Sequence, residues 1–186
     1  PNTVFAVRPP QGIPDEDTSW DIQEACQARI ASAGFTHYEV SAYAQPGRQS
    51  AHNLNYWRFG DYLGIGAGAH GKLTLGADQS ILRRWKVKHP ADYLAKAGTP
   101  ASIGGDETLA AARIPFDYML NALRLHEGFG LDAFEARTGL PRAAIAAQLD
   151  DAAQRGWLTV DAGGHVAPTE LGRRFTNDVI GLFLAD

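Results

Sequence analysis

Residues whose types and spacing suit them to chemistry are concentrated between residues 52 and 70, a stretch with two histidines, two asparagines and four glycines. Imidazole nitrogens can bind a metal ion, and aromatic rings such as those of Tyr56 and Trp57 can lie against a flat apolar molecule. Glycine lets the backbone approach a ligand closely. This composition is too rich in polar and aromatic groups for an ordinary core segment, so it predicts a binding site.

The first half of the stretch places His52 and Asn53 close to Tyr56 and Trp57. These side chains offer a ligand for iron and flat rings, which are the contacts that a haem or a porphyrin requires. A structural alternative is that His52 and Asn53 hydrogen-bond a loop and Trp57 fills a core. Spacing alone favours the structural alternative, and the residue types do not decide between the two.

The second half, Gly64-x-Gly66-x-Gly68, resembles a glycine loop that binds a nucleotide. No capped amphipathic helix follows it, so the pattern excludes the dinucleotide-binding fold. Close approach of the backbone to a flat nucleoside and a tight crossing of strands are equally open interpretations. His70, at the end of the loop, either contacts that ligand or caps the loop.

Length and composition limit the classes of protein to consider. With 186 residues, of which 45% are hydrophobic, the chain can form one full domain and a smaller one. Its 17 basic and 21 acidic residues produce no field that would attract nucleic acid or anionic lipid. No apolar run approaches the roughly 20 residues of a membrane span, so a cytoplasmic location is expected. The sequence begins at Pro1 without a methionine or a signal peptide, which we interpret as a fragment of a longer protein.

The first part of the chain has the pattern of an α/β repeat. Residues Val4–Val7 are predicted to close a strand, and an acidic, capped helix is predicted over 15–33, ending at Gly34. Cys26, the single cysteine, lies on the apolar face of that helix and is predicted to be in the core. Alternation over Tyr38–Tyr43 predicts a strand. Ligands of such repeats bind beyond the carboxyl ends of the strands, which is where the candidate site follows.

After residue 70, apolar and charged residues over 72–75 and 81–87 predict a hairpin that turns at Gly76-Ala77-Asp78-Gln79. A helix over 90–97 and a linker over 99–105 are predicted next. The hairpin carries a basic cluster, which favours a solvated strand edge over a patch for propionates. The cluster consists of Arg83, Arg84, Lys86 and Lys88.

The last part of the chain is predicted to be mainly helical. Its predicted elements are a helix that starts at Asp106 and restarts at Pro115, helices over 131–138 and 141–155, a hairpin with a Gly163-Gly164 turn, and a last helix from Thr169. This is the order of elements in a winged-helix domain. Residues 105–186 carry 7 basic and 12 acidic residues, whereas a surface that reads DNA is basic. We therefore interpret this part as a packing or partner-docking module.

Four segments resemble the second half of a known family. They are Pro1-Asn2-Thr3-x-Phe5-x-x-Arg8-Pro9-Pro10, Tyr38-Glu39-x-Ser41-x-Tyr43-Ala44-x-Pro46-Gly47, His52-Asn53-Leu54-Asn55-Tyr56-Trp57-Arg58 and Gly60-Asp61-Tyr62-Leu63-Gly64-Ile65-Gly66-x-Gly68-Ala69-His70-Gly71. They are similar to the radical S-adenosylmethionine (SAM) family of oxygen-independent coproporphyrinogen III oxidases, and most of all to its haem-chaperone branch, HemW. The histidine-asparagine-x-x-tyrosine-tryptophan motif distinguishes that branch and has been proposed to bind haem.

The resemblance implies a haem site that consists of His52, Asn53, Tyr56 and Trp57, with His52 as the ligand of the haem iron. It also implies a segment that lies against bound SAM, formed by Gly64, Ile65, Gly66, Gly68, Ala69 and His70. Family members bind a [4Fe–4S] cluster through a Cys-x-x-x-Cys-x-x-Cys motif in an N-terminal partial (β/α) barrel. This chain has Cys26 alone, and a cluster needs several thiolates, so the chain by itself is expected to lack the cluster and to be inactive.

The expected fold class is α/β, a remnant of the partial barrel followed by a winged-helix-like α+β domain. Residues 1–71 would form the barrel end and ligand-facing loops, 72–104 a hairpin, short helix and linker, and 105–186 the C-terminal domain. The resemblance implies haem binding and delivery, with the N-terminal part of the same protein and haem-accepting proteins as partners. The alternative is oxidative decarboxylation of the propionates of coproporphyrinogen III, and the third possibility is a winged-helix interaction module.

Overall fold

The computed structural model describes residues 3–76 and 79–185. The predictions that involve Pro1, Asn2, Ala77 and Asp78 therefore lie outside the described residues. The chain divides into two compact units, of which unit 1 comprises Pro1–His37 and Ser41–Gln49, and unit 2 comprises Tyr38–Val40 and Ser50–Asp186. The described elements mix helices and strands, so the predicted mixed α/β class is confirmed.

Unit 1 begins with a single helical turn, α1 (Val4–Val7), where the sequence predicted a strand. The Thr3 hydroxyl accepts a hydrogen bond from the Ala6 N–H (3.3 Å), which favours a helical turn over an extended chain. No strand among the described residues pairs with this segment, and a strand is stabilised by such pairing. The prediction of a strand at the start of the chain is therefore wrong.

Helix α2 (Glu16–Ser32) agrees with the predicted helix. The Asp15 carboxylate caps it by accepting a hydrogen bond from the Thr18 N–H (2.8 Å), and Gly34 follows its end with a φ of +84°. No residue of α2 is buried and Cys26 is exposed, so the prediction that Cys26 lies in a core is wrong. The reason is that no described element of unit 1 covers the face of α2 that carries this residue.

Two short strands, β1 (Thr36–Glu39) and β2 (Ala42–Ala44), form a two-stranded sheet. The sequence predicted one strand over Tyr38–Tyr43, which is wrong because the chain turns at Val40 and Ser41. The alternation of apolar and polar residues continues through this turn. Periodicity alone therefore could not locate it.

Helix α3 (Ala51–Trp57) belongs to unit 2 and precedes a three-stranded antiparallel sheet. The strands are β3 (His70–Leu75), β4 (Ser80–Lys86) and β5 (Ile103–Thr108), in the order β3-β4-β5. The predicted pairing of the first two strands is confirmed. Between β4 and β5 the chain forms α4 (Pro90–Lys96), close to the predicted helix, and a short 3₁₀ helix (Pro100–Ser102).

The predicted linker over 99–105 is wrong, because this segment enters β5. Its glycines reflect close packing rather than flexibility. A Cβ on Gly105 would collide with the ring of Trp85, and a Cβ on Gly104 would lie 2.9 Å from the carbonyl oxygen of Lys86. Glycine is required here for the pairing of β5 with β4.

Strand β4 lies in the middle of its sheet, so the prediction that its basic cluster marks a strand edge is wrong. Arg84 and Asp106 lie opposite each other on neighbouring strands and form an ion pair (2.9 Å). Glu107, opposite Arg83, forms an ion pair with Arg113 (2.9 Å). Asp106 of β5 thus pairs with a basic residue of β4, whereas Glu107 pairs with Arg113 outside the sheet. The helix predicted to start at Asp106 is instead the end of strand β5.

The remainder of unit 2 is mainly helical and contains a buried core. Its helices are α5 (Ile114–Ala122), α6 (Leu131–Thr138), α7 (Ala146–Gln154), α8 (Glu170–Arg174) and α9 (Thr176–Gly181). The strands β6 (Phe129–Gly130), β7 (Leu158–Val160) and β8 (His165–Pro168) form a sheet in the order β6-β8-β7. The predicted helix ends at Gly139 and Gly156 are confirmed, since both have a φ of +71°. None of the described helices is both long and apolar enough to cross a membrane.

Candidate functional site

The candidate site is built on α3, which carries His52, Asn53, Tyr56 and Trp57. Ser50 caps this helix, because its hydroxyl accepts a hydrogen bond from the Asn53 N–H (3.3 Å). The N–H of Ser50 in turn donates to the hydroxyl of Tyr38 (3.3 Å), whose side chain is buried. The motif is therefore a short, capped helix with a fixed start.

Helical spacing divides the motif between two faces of α3. Residues four positions apart lie on one face, so His52 shares a face with Tyr56, and Asn53 shares a face with Trp57. The rings of His52 and Tyr56 meet edge to face, with centroids 4.7 Å apart and planes at 78°. His52 is exposed, whereas Asn53 and Trp57 are half-buried. The structure thus brings His52 and Tyr56 together and places Trp57 on a different face.

His52 is exposed, and its imidazole is not used in a hydrogen bond among the described residues. The ring contacts Tyr56. A neutral imidazole offers one lone-pair nitrogen, and such a nitrogen is a common protein ligand of haem iron. No group of three or more His, Cys, Asp or Glu residues in the described part of the chain is arranged to hold a bare metal ion. His52 is therefore suited to bind a metal that is already coordinated by a macrocycle, as the iron of haem is.

Trp57 packs beside the end of α5. The guanidinium group of Arg124 lies over its indole ring, 5.1 Å from the centroid, and Arg124 Nε donates to the Leu120 carbonyl (3.0 Å). The indole nitrogen of Trp57 is buried and has no hydrogen-bond partner among the described residues. Because a cation covers one face of the indole ring, that face is not available to a planar ligand.

The backbone turns sharply after α3. Phe59 has a φ of +55°, which residues other than glycine rarely adopt, and its side chain is 1% exposed. The Nζ of Lys72 lies 4.3 Å from the Phe59 ring centroid and donates a hydrogen bond to the Phe59 carbonyl (3.0 Å). A Cβ on the following Gly60 would collide with the side chain of Asn55. These contacts fix the C-terminal end of α3.

Lys72 is a buried cation whose burial could not be predicted from the sequence. Its side chain is 2% exposed and forms an ion pair with Asp61 (2.8 Å). Asp61 also accepts hydrogen bonds from the N–H (2.8 Å) and the hydroxyl (2.9 Å) of Thr74. Burial lowers the pKa of Lys72, and the neighbouring Asp61 carboxylate only partly opposes this shift. Burial by itself would raise the pKa of Asp61, but hydrogen bonds from Lys72 and Thr74 lower that pKa overall.

Tyr62 extends the aromatic contacts of the site. The ring centroids of Tyr56 and Tyr62 lie 4.4 Å apart with planes at 66°. The Tyr62 hydroxyl accepts a hydrogen bond from Nη1 of Arg83 on β4 (3.1 Å). The contact of Tyr62 with Arg83 could not be predicted from the sequence, because no helix or strand periodicity relates α3 to β4.

The glycine segment between Tyr62 and β3 has a backbone held by hydrogen bonds. The Gly66 N–H donates to the hydroxyl of Tyr93 on α4 (3.1 Å), and the Gly68 N–H donates to the Val87 carbonyl (2.8 Å). Gly66 and Gly68 have φ of +115° and +67°, a region that favours glycine. The side chain of Ile65, which directly precedes Gly66, is 84% exposed. The loop thus combines an anchored backbone with an accessible surface.

The start of this loop is a close crossing of two chain segments. Tyr62 and Lys72 exchange backbone hydrogen bonds, with N–H to carbonyl distances of 2.9 and 3.0 Å. A Cβ on Gly64 would lie 2.5 Å from the carbonyl oxygen of His70. The sequence allowed two reasons for the glycines, a close approach to a nucleoside or a tight crossing of strands. At Gly64 this geometry favours the crossing of strands.

Ala69 and His70, the last residues of the segment, lie next to β4. The Ala69 carbonyl accepts a hydrogen bond from the Lys86 N–H (2.9 Å). His70 is the first residue of β3, is exposed, and stacks on Trp85 with ring centroids 6.1 Å apart and planes at 30°. The two histidines of the stretch thus have different aromatic partners, Tyr56 for His52 and Trp85 for His70.

Comparison with known proteins gives a consistent result over the whole chain. Residues 109–175 match the family described as the HemN C-terminal domain. Over 186 residues the chain is 44% identical to the haem chaperone HemW of Escherichia coli (strain K12), and 42% identical to that of Haemophilus influenzae. Each alignment covers 100% of this chain and 47% of the relative. The chain therefore spans about half the length of the curated relatives it matches.

A solved structure has the same fold at low sequence identity. The coproporphyrinogen III oxidase HemN of Escherichia coli, described as a radical SAM enzyme, superimposes with a TM-score of 0.61 and is 15% identical. The match covers 91% of this chain and 42% of the HemN chain. At this identity the likeness is one of fold, and it confirms a mixed α/β chain that resembles part of HemN.

Proposed function

This chain belongs to the HemW family, and we propose that it binds haem on α3 as part of a protein that delivers haem to other proteins. The observation that carries the proposal is the exposed imidazole of His52, which lies edge to face against Tyr56 with ring centroids 4.7 Å apart. The names of the relatives support haem as the ligand. The geometry supports His52 as the residue that binds its iron.

In the proposed site His52 is the iron ligand, and Tyr56 lies beside the imidazole. Asn53 and Trp57 occupy the neighbouring face of α3, where Trp57 packs against Arg124. If His52 is the residue of this chain that binds the iron, a receiving protein would offer an iron ligand of its own, and delivery would need ligand exchange without a covalent step in this chain.

The proposal is tested by titrating haem into the His52→Ala variant, followed by absorbance, with a thermal melt alongside. His70→Ala is the matched control, because His70 is also exposed and also lies against an aromatic ring. His52→Ala should weaken haem binding by well over tenfold, more than about 1.4 kcal/mol, and leave the melting temperature unchanged. His70→Ala should change the affinity much less. An unchanged dissociation constant in His52→Ala, together with a lower melting temperature, would assign His52 a structural role instead.

Coproporphyrinogen III oxidation is the second candidate function, and the likeness of fold to HemN is the observation that favours it. The residues of this chain do not fit a [4Fe–4S] cluster, because Cys26 is its one cysteine and a cluster needs several converging thiolates. Any radical chemistry of the longer protein would therefore depend on residues beyond this chain. We propose that the chain alone is inactive as an oxidase.

The glycine loop is proposed to face SAM in the longer protein, as the resemblance implies. The segment consists of Gly64, Ile65, Gly66, Gly68, Ala69 and His70. Its anchored backbone and the exposed side chain of Ile65 support this role, because they provide a fixed surface against which a ligand can lie. In this arrangement the chain contributes one wall of the SAM site, and the rest of the longer protein contributes the cluster.

The N-terminal part of the same protein is the partner that we propose for unit 1. Apolar side chains of unit 1, including Trp20, Ile22 and Phe35, are between 38% and 53% exposed, and α2 has no buried residue. The exposed thiol of Cys26 on α2 provides a reporter. If the chain is joined to the additional N-terminal half that is present in its relatives, Cys26 should react more slowly with a thiol reagent. An unchanged labelling rate would remove α2 from the interface.

The finer fold assignment remains our proposal. The order α5, α6, α7, β7, β8 supports a winged-helix-like domain over 105–186, and the order of helix and strand in unit 1 supports a barrel remnant within 1–71. Residues 72–104 would connect the two.

The 7 basic and 12 acidic residues of 105–186 support docking of a protein partner, such as a haem acceptor, rather than of nucleic acid. A cytoplasmic location also stays a prediction.

A further inference from the structure

Four side chains form a continuous line of contacts from the exposed face of α3 to the middle of the β3-β4-β5 sheet. We call His52, Tyr56, Tyr62 and Arg83 the aromatic row. The ring centroids of His52 and Tyr56 are 4.7 Å apart, and those of Tyr56 and Tyr62 are 4.4 Å apart. The row ends where Nη1 of Arg83 donates to the Tyr62 hydroxyl (3.1 Å). Each member thus contacts the next, and His52 is the exposed end.

The inner end of the row is fixed to the sheet in two ways. Arg83 lies on the central strand, opposite Lys72 on β3 and Glu107 on β5. The backbone of Tyr62 exchanges hydrogen bonds with that of Lys72 (2.9 and 3.0 Å). Tyr62 is therefore held to β3 by its main chain and to β4 by its hydroxyl, so its ring has little freedom to move.

The outer end of the row lacks such support. His52 lies on a helix of seven residues, and within the described ranges its imidazole forms no hydrogen bond. In metal-binding histidines the second ring nitrogen usually donates a hydrogen bond that fixes the orientation of the ring. In this chain the contact with Tyr56, rather than a hydrogen bond, restricts the orientation of the His52 ring. The Tyr56 ring is in turn restricted by its contact with Tyr62.

We propose that Tyr62 and Arg83 are positioning residues, which hold the imidazole of His52 through Tyr56 in the orientation that binds haem iron. The inference rests on the proposed haem function and extends it to two residues outside the α3 motif. An imidazole already held in its binding orientation loses less rotational freedom when iron binds, so the affinity is higher. Loss of the hydroxyl contact of Tyr62 should therefore weaken haem binding without removing a ligand.

The experiment is a double-mutant cycle on the full chain, with haem titration as the readout. Tyr62→Phe keeps the ring against Tyr56 but removes the hydroxyl, and Arg83→Met removes the donor while keeping a long side chain. Each single variant should weaken haem binding about threefold to tenfold, the range expected for one net hydrogen bond. The double variant should bind as weakly as either single variant, because both remove the same contact.

Two control variants make comparable changes outside the row. Tyr93→Phe removes a tyrosine hydroxyl that accepts a hydrogen bond from the Gly66 N–H (3.1 Å). Arg84→Met removes the neighbouring arginine of β4, which is paired with Asp106 (2.9 Å). Both should leave haem affinity within about twofold of the parent, since neither contacts the aromatic row. Affinity losses in the controls as large as those in Tyr62→Phe would show a general effect of stability and overturn the proposal.

A measurement without haem separates this inference from the proposed function. The ring current of Tyr56 should displace the NMR signals of the His52 imidazole, and Tyr62→Phe and Arg83→Met should move them toward those of a freely rotating histidine. Unchanged His52 signals in both variants would overturn the positioning role even if haem binds at His52. If instead the signals move but His52→Ala binds haem normally, the row exists and the proposed iron ligand is wrong.

Discussion

The ammonium group of Lys72 lies 2.8 Å from the carboxylate of Asp61, yet the two side chains differ in exposure, at 2% for Lys72 and 40% for Asp61. Water can therefore solvate the carboxylate but not the ammonium group. Removal of the carboxylate would leave a buried charge without its counterion, whereas removal of the ammonium would leave a carboxylate that water and Thr74 still satisfy. The two halves of this ion pair should not be equivalent in mutagenesis.

The first prediction follows from that asymmetry. Asp61→Asn should lower the free energy of unfolding by about 3 kcal/mol, because Lys72 is left charged and buried. Lys72→Met should lower it by about 1 kcal/mol, since the methionine fills most of the same space and Asp61 stays hydrated. Urea unfolding of both variants provides the measurement. Equal losses, or a larger loss for Lys72→Met, would contradict the assignment of Lys72 as the buried partner.

The same pair predicts how stability depends on pH in the acid range. Hydrogen bonds from Lys72 and Thr74 lower the pKa of Asp61 below its ordinary value of 3.8. A carboxyl with a depressed folded-state pKa stabilises the fold above its unfolded pKa, and this contribution is lost as pH falls through the folded pKa. Parent and Asp61→Asn should therefore converge in stability as the pH falls below about 4. A difference that stays constant from pH 7 to acid pH would exclude ionised Asp61 as the cause.

Several elements could be predicted from sequence because their signals are local. The Asp15 cap of α2 and the left-handed glycines Gly34, Gly139 and Gly156 each act within one turn of a helix, and all are found where the pattern placed them. The alternation of residues likewise identified the β3-β4 pairing. Such features are determined by neighbours in the chain, so they do not depend on the tertiary fold.

Two of the errors arise from packing between segments distant in sequence. Gly104 and Gly105 have the composition of a linker, but they are small because Trp85 and the backbone of β4 occupy the space beside them. Cys26 has helical spacing typical of a core face, yet it is exposed, and none of the described residues of unit 1 buries it. Burial and pairing of this kind cannot be obtained from the period of a pattern.

The candidate site shows the same division. The motif from His52 to Trp57 was identified from residue types and from the resemblance, and helical spacing accounts for its two faces. The contacts that support the motif were not predicted, because Tyr62 and Arg83 reach it only through the tertiary fold. Lys72 was missed for that reason as well, since nothing in the sequence relates its position to the end of α3.

Trp57 provides the next prediction. Its indole N–H is buried without a hydrogen-bond partner in the described part of the chain, and Arg124 covers its ring at 5.1 Å. Trp57→Phe keeps an aromatic face for Arg124 and removes the unsatisfied donor, so the free energy of unfolding should change by less than about 1 kcal/mol. Trp57→Ala should lower it by about 3 kcal/mol because the ring is lost. Chemical denaturation distinguishes the two cases, and similar large losses in both variants would mean that the N–H has an acceptor.

A prediction about the iron–sulfur cluster rests on the cysteine count. Cys26 is the one thiol in 186 residues and is exposed on α2. After anaerobic incubation with iron and sulfide and removal of the excess, the chain should contain no stoichiometric cluster. The visible spectrum and an iron determination provide the measurement, with Cys26→Ser as the control for nonspecific iron. Stoichiometric [4Fe–4S] absorption that disappears in Cys26→Ser would show that this thiol takes part in a cluster.

The last prediction distinguishes the two interpretations of the glycine loop. At Gly64 a Cβ would lie 2.5 Å from the carbonyl oxygen of His70, a backbone atom that cannot rotate away. Gly64→Ala should therefore lower the free energy of unfolding of the ligand-free protein by about 1–3 kcal/mol, as overpacking does. Gly181, at the end of α9, has open space around its Cβ position, so Gly181→Ala should be neutral or slightly stabilising. If Gly64→Ala is as stable as the parent and loses only SAM binding in the longer protein, close approach to the ligand explains this glycine and the crossing does not.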